Sequence, residues 1–175
     1  MAALLFLVDA LLTLVVMAFL LRLLMPLVRA DMRSPVGQAV LRFTNPIVMP
    51  LRRLLGSAGR LDTASVVALL LVQLAATAAV RTLAGGSLSP GPLLLHAGRD
   101  LLRNVLQFYF VAVLVYALLS WVSAAGHGNA AYHLLGRLCD PLLRPIRRVI
   151  PPIAGLDLSA LFLLLGLQAL QILLR

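Results

Sequence analysis

The chain has 175 residues, of which 62% are hydrophobic and only 12% charged, with a mean hydropathy of +1.02. Soluble domains carry roughly 45–50% apolar and about 25% charged residues, so this chain has too little polar material to cover a water-facing surface. All fifteen basic residues are arginine and all six acidic ones aspartate, for a net charge of +9. In so apolar a chain that excess reads as arginine set against lipid phosphates and as a topology signal, not as a nucleic-acid surface. Base stacking would need basic residues interleaved with aromatics, and no such patch is present. The single cysteine, Cys139, excludes a disulfide within the chain.

The first apolar run covers residues 2–27, interrupted by Asp9 and Arg22. At 1.5 Å per residue it is ample for a hydrocarbon core of about 30 Å. It has no basic n-region and no small-residue cleavage site, so it reads as a retained helix rather than a leader. A second run, residues 64–84, ends at Gly85-Gly86, and the Ser89-Pro90-Gly91-Pro92 cluster reads as loop. The third run is residues 101–125, closed by Gly126-His127-Gly128, and the fourth is residues 158–174, near the lower limit for spanning.

Two less apolar segments lie between these runs, at about 34–58 and 129–153, and both carry helical signals of their own. Ser34-Pro35 has the pattern of an N-cap followed by proline at the first helical position. Val36, Ala39, Val40 and Phe43 then recur at helical spacing. The expected fold is an all-α membrane protein with about four transmembrane helices. They form two tandem parallel repeats, residues 1–95 and 96–175, each with an amphipathic interfacial segment between its two spanning helices.

A shift of 95 residues superposes the middle segments without a gap. Asn45-Pro46-Ile47-Val48-Met49-Pro50-Leu51-Arg52-Arg53 falls on Asp140-Pro141-Leu142-Leu143-Arg144-Pro145-Ile146-Arg147-Arg148, Leu61-Asp62 on Leu156-Asp157, and Gln73 on Gln168. Apolar runs match one another cheaply, but prolines, paired arginines, an aspartate and a glutamine in one register do not. The middle segments also hold most of the arginines, so the positive-inside rule places them in the cytoplasm and both termini on the opposite side.

Within the repeated motif, Asn45 and Asp140 are candidate N-caps, with Pro46 and Pro141 at the first helical position. Pro50 and Pro145 come later and should kink or tighten the segment. Leu142, Leu143, Ile146, Val149 and Ile150 gather on one face; Arg144, Arg147 and Arg148 gather on the other. With Arg52 and Arg53, these arginines either anchor and orient the protein or bind a specific lipid or the acidic groups of a partner. Asp62 and Asp157 stand where the next spanning helices begin. They read as caps, compatible with a salt bridge to the preceding arginine pair, and an ion or proton site is the alternative.

Gln73 and Gln168 fall deep in spanning helices, where an amide seeks a partner on another helix, or the two line a polar path. Asp9, whose counterpart is Asn104, and Arg22 lie near the two ends of the first helix, within reach of the interfaces. His127, His133 and Cys139 recur at a six-residue spacing that does not share a helical face, so no metal site is expected. No phosphate loop, nucleophile elbow or other catalytic constellation was found, and neither an enzyme nor a cofactor is expected.

The motif from Asn45-Pro46 through Arg53 with Leu61-Asp62 resembles the YggT (YlmG) family of small bacterial and plastid membrane proteins. So does its second copy, Asp140-Pro141 through Arg148 with Gly155-Leu156-Asp157-Leu158-Ser159. The first copy departs from the second at Gly56-Ser57, against Pro151-Pro152, and at Arg60, against Gly155. The resemblance implies a bacterial inner-membrane protein. Family members are associated with osmotic tolerance and potassium uptake, with cell division, and with thylakoid or nucleoid organisation. The expectation is a non-enzymatic scaffold or assembly factor engaging anionic lipids and a membrane-protein partner or further copies of itself. A channel or transporter subunit affecting cation (potassium) or osmotic homeostasis is the alternative.

Overall fold

The computed structural model describes residues 2–55, 62–123, 130–149 and 158–174. Their regular structure is six helices, α1 (Ala2–Leu27), α2 (Pro35–Leu55), α3 (Thr63–Leu83), α4 (Pro90–Ser123), α5 (Ala130–Val149) and α6 (Leu158–Leu173). Three of them, α1, α3 and α4, are long and apolar enough to cross a membrane, and α6 is a shorter apolar helix. Large apolar side chains such as Phe6, Leu11, Leu14, Leu165 and Ile172 are exposed along these helices.

α1, α2 and α3 pack on one another, α4, α5 and α6 do the same, and α3 and α1 both touch α4. One apolar cluster runs through both groups. Val16, Phe19 and Met25 of α1 join Val48 of α2, Val113 of α4, and Leu138 and Leu143 of α5. The buried side of α3 carries mostly small residues (Ala64, Ser65, Ala68, Ala76 and Thr77) beside Leu69 and Gln73, and small residues let neighbouring backbones come close.

α2 starts at Pro35 as the sequence indicates: the Ser34 hydroxyl accepts the Gly37 N–H at 3.2 Å. Its buried stripe is Gly37, Val40, Thr44 and Val48. Phe43, expected on the apolar stripe with Val40, is exposed beside Ile47, so α2 has one apolar edge against the bundle and another facing outward.

Two expectations are corrected here. Asn45 and Asp140 do not cap helices: α2 and α5 run unbroken through Pro46 and Pro50, and through Pro141 and Pro145. Packing on the bundle holds each helix together across the backbone hydrogen bonds that its prolines remove. The Ser89-Pro90-Gly91-Pro92 cluster is a helix start rather than a loop, since the Leu93 N–H donates to the Ser89 carbonyl at 3.1 Å and α4 begins at Pro90. A proline in the first turn lacks only a donor that the helix would leave unpaired anyway.

The chain turns at the ends of α1 and α3 by the same device. At α3, Gly86 N–H reaches the Arg81 carbonyl and Gly85 N–H that of Thr82, with Gly85 at φ 74°. At α1, Ala30 N–H reaches the Met25 carbonyl and Arg29 N–H that of Pro26. There the left-handed position is held by Arg29, at φ 52°, where glycine is the usual choice. The Arg29 carbonyl accepts from Arg137 Nη1 at 2.6 Å, which ties α5 to the α1–α2 turn.

Candidate functional site

Arg22 lies near the end of α1, yet its side chain turns inward and is only 3% exposed. Nε donates to Ser65 Oγ at 3.1 Å. Nη1 donates to Thr44 Oγ1 at 2.6 Å and to Asn45 Oδ1 at 2.8 Å. Both hydroxyls still have a proton to give: Thr44 passes its own to the Val40 carbonyl and Ser65 to Asp62 Oδ2 at 2.7 Å. Asp62 in turn is ion-paired with Arg52. A buried guanidinium is thereby wired through α2 and α3 to the carboxylate that opens α3. Taking an unpaired guanidinium out of water is costly, and these fixed acceptors offset it.

Asp62 occupies the N-cap position of α3, but its carboxylate does not cap the backbone. It turns to Ser65 and Arg52 instead. Burial would raise its pKa; the hydrogen bonds from Arg52 and Ser65, with the charges of Arg52 and Arg22, outweigh that and hold it below the usual carboxylate value. Its other oxygen, Oδ1, is buried without a donor among the described residues. A cavity of about 390 Å³ opens at this point, lined by Arg22, Asn45, Met49, Arg52, Asp62 and Ser65. Two guanidinia and one carboxylate leave it one positive charge in excess, which suits an anionic oxygen ligand.

In the second group the polar partners are redistributed. The positions 95 residues beyond Arg22, Thr44 and Ser65 are Ala117, Cys139 and Ala160, so the buried guanidinium and its hydroxyl acceptors are gone. Asp140, standing at the Asn45 position, draws in arginines from its own helix. Arg144 Nε is 2.8 Å away and Arg147 Nη1 4.0 Å. Arg147 Nη2 also donates to the Tyr116 hydroxyl at 3.3 Å, and Tyr116 stacks on Tyr132 with centroids 5.1 Å apart. Cys139 is fully buried, and burial pushes its thiol up to about 12.

The arginine pairs thus divide. Arg52 and Arg147, the first of each pair, turn to carboxylates of the chain. Arg53 and Arg148, the second of each, are exposed, and neither has an ion-pair or hydrogen-bond partner among the described residues. Asp157, the expected counterpart of Asp62, lies outside the described residues.

A third polar cluster joins α3 to α4. Gln73, 3% exposed, accepts from Asn104 Nδ2 at 3.0 Å and donates to Thr77 Oγ1 at 3.1 Å. Thr77 donates to Asp100 Oδ2 at 2.9 Å. The expected interhelical amide bond is present at Gln73 and absent at Gln168, which is exposed on α6 without a hydrogen bond among the described residues. Asp9, also exposed, lines a cavity of about 550 Å³ together with Gln73, Asp100, Asn104, Arg81 and His96.

Ser65, Thr44, Tyr116, Thr77 and Asp100 were missed from the sequence. A Ser or Thr in an apolar helix is a common small residue, and only the inward turn of Arg22 identifies Thr44 and Ser65 as its acceptors. Among the described residues, no three His, Cys, Asp or Glu side chains gather as a metal site would require.

The sequence model of the CCB3/YggT family matches residues 1–83 and 95–175. The chain is 36% identical over 173 residues to YggT of Escherichia coli K12, covering 98% of this chain and 88% of that one. It is 37% identical over 165 residues to an uncharacterised protein of Vibrio alginolyticus, covering 93% and 88%. A shorter match, 31% over 83 residues, is to ycf19 of Porphyra purpurea, covering 47% of this chain and 85% of that one. No solved structure matches. The chain belongs to the CCB3/YggT family.

Proposed function

We propose that the protein is a four-span, tandem-repeat membrane scaffold that uses α2 and α5 to engage anionic lipid headgroups and membrane-protein partners at one leaflet. α6, at 16 residues, would be the fourth span, accommodated by local thinning of the bilayer. The repeat is supported by the 95-residue register of the motif and by the two separate stretches over which the family model matches. The Arg137–Arg29 contact supports placing α5 beside the α1–α2 turn, at one end of the bundle.

The observation that carries this reading is the division of the arginine pairs. Arg52 and Arg147 neutralise the chain's own carboxylates, while Arg53 and Arg148 are exposed with no ion-pair or hydrogen-bond partner among the described residues. A side chain of that kind at a membrane surface attracts anionic lipid by about 1 kcal/mol. Phe43 and Ile47 on the outward edge of α2 supply the apolar side of an interfacial helix.

The test is lipid retention. Protein reconstituted in mixed phosphatidylcholine and phosphatidylglycerol should enrich the anionic lipid, read by mass spectrometry of the lipid that stays bound. Arg53→Gln with Arg148→Gln should remove the enrichment while the chain remains inserted. Undiminished enrichment would contradict the proposal.

The alternative, a subunit of a cation channel or transporter, draws on the cavity that Asp9, Gln73, Asp100 and Asn104 line. Potassium flux in liposomes that falls on Gln73→Leu substitution would favour it over the scaffold reading.

A further inference from the structure

Of four polar side chains related by the 95-residue shift, Asp9, Gln73, Asn104 and Gln168, only Gln73 and Asn104 are paired with each other. Asp9, Gln73 and Asn104 line one cavity. Gln168 lies on α6, which packs on α4. Arg99 Nε, nine residues into α4, donates to the Leu174 carbonyl at 2.8 Å, which ties α4 to the end of α6. At 1.5 Å per residue, Asn104 is about 7.5 Å inward from Arg99, and Gln168 about 9 Å inward from Leu174.

Gln73 and Asn104 meet across the α3–α4 contact. A shift of 95 residues carries Gln73 to Gln168 and Asn104 to Asp9. Both of these are exposed, and neither has a hydrogen-bond partner among the described residues. They sit on different helices, α6 and α1. Around Gln168 the surface is apolar, with Leu161, Leu165 and Ile172 on α6, while Asp9, beside Phe6 on α1, opens to the cavity that Gln73, Arg81, His96 and Asn104 also line. An amide left in hydrocarbon is costly, and a carboxylate in a spanning helix gains from a donor.

We propose that a second copy of this chain sets its α1 against α6, with the Gln168 amide donating to the Asp9 carboxylate of the other copy. This is the α3–α4 contact made again between molecules. The pairing chemistry is matched: the carboxylate accepts only, and the amide brings two N–H donors. With a two-fold axis along the membrane normal, each copy offers one α1 and one α6, both contacts form, and the assembly closes at two. Gln168 of each copy then completes the wall of the other's cavity at Asp9. The inference rests on the membrane reading above.

The experiment uses two differently tagged full-length chains co-expressed in a Cys139→Ala background, one carrying Asp9→Cys and the other Gln168→Cys. Mild oxidation in native membranes should give a disulfide-linked species bearing both tags. Leu71→Cys, exposed on α3, replaces Asp9→Cys as the control and should give none. Absence of the Asp9–Gln168 cross-link, or an equal yield with Leu71→Cys, overturns the proposal. To guard against a disturbed fold, the unsubstituted chain should leave native membranes as two copies by mass spectrometry, and Gln168→Leu should shift it to one while resisting carbonate extraction. An unsubstituted chain that inserts as a monomer sinks this inference alone; one that does not insert sinks the membrane reading.

Discussion

Arg22 and Ser65, 43 positions apart in the chain, meet at 3.1 Å in the bundle interior, and that contact links the end of α1 to the start of α3. Through Ser65 it extends to Asp62, and through Nη1 it fastens Thr44 of α2. One guanidinium therefore fixes how three helices of the first group meet.

Arg22→Leu should lower stability by about 2–4 kcal/mol, since it strips a buried charged donor from Thr44, Asn45 and Ser65 together. Arg22→Lys should recover part of the loss, because an ammonium keeps the charge but cannot reach three acceptors with a planar fork. Thermal unfolding in mild detergent measures both. Equal stability of Arg22→Leu and the parent would show that the network contributes nothing net.

Gly37 should not tolerate a side chain. A Cβ built there would lie 2.7 Å from the Met32 carbonyl oxygen and 2.9 Å from the Met32 Cα, and backbone cannot move aside as a flexible side-chain end can. Gly37→Ala should cost about 2 kcal/mol or more, despite the higher helix propensity of alanine. A gain in stability would mean that α2 enters its helix differently.

Arg29→Gly should do the opposite. Arg29 holds a positive φ at a helix end where α3 uses Gly85, and the left-handed conformation costs a non-glycine residue about 1–2 kcal/mol. Its main partner, Arg137, uses the backbone carbonyl, which glycine keeps. The substitution should raise the unfolding temperature; a fall would show that the Arg29 side chain itself stabilises the turn.

The elements most legible in the sequence were those set by apolar length and periodicity, α1, α3 and α6, with the start of α2 given by Ser34-Pro35. Proline misled twice. At Pro90 it opens a helix, and at Pro46 and Pro141 it lies inside one, because tertiary packing overrides the local cost of a missing backbone donor. The 95-residue register pointed to Arg52, Asp62 and Gln73, but it could not foresee that residues at matched positions have different partners. Arg22 has Ala117 as its counterpart, so the register carried no hint of the buried guanidinium. Gln168 matches Gln73 in position and differs from it in surroundings, since α4 covers one and no described helix covers the other.

The Arg52–Asp62 pair sets an acid limit. The Asp62 carboxyl is held low in the folded protein, so its contribution is present above the unfolded carboxylate value, about 3.9, and is lost as pH falls through the lower folded value. For a pair this accessible the contribution is about 0–1 kcal/mol. The parent should exceed Asp62→Asn in stability at neutral pH and converge with it at the acid end. A difference that does not change with pH would contradict the ion pair.

Cys139 should be chemically silent. With the thiol buried and its pKa raised to about 12, little thiolate exists at pH 8. Maleimide should label it slowly in the native protein and rapidly in denaturant; fast native labelling would mean that the α5 face opens.

A scaffold that engages lipid through α2 and α5 needs both helices at one leaflet with Arg53 and Arg148 outward. Arg53→Cys and Arg148→Cys, each in a Cys139→Ala background, can be treated with a membrane-impermeant maleimide in right-side-out and inverted vesicles. Both positions should label from the cytoplasmic side only. Labelling of the two from opposite sides of the membrane would contradict the account.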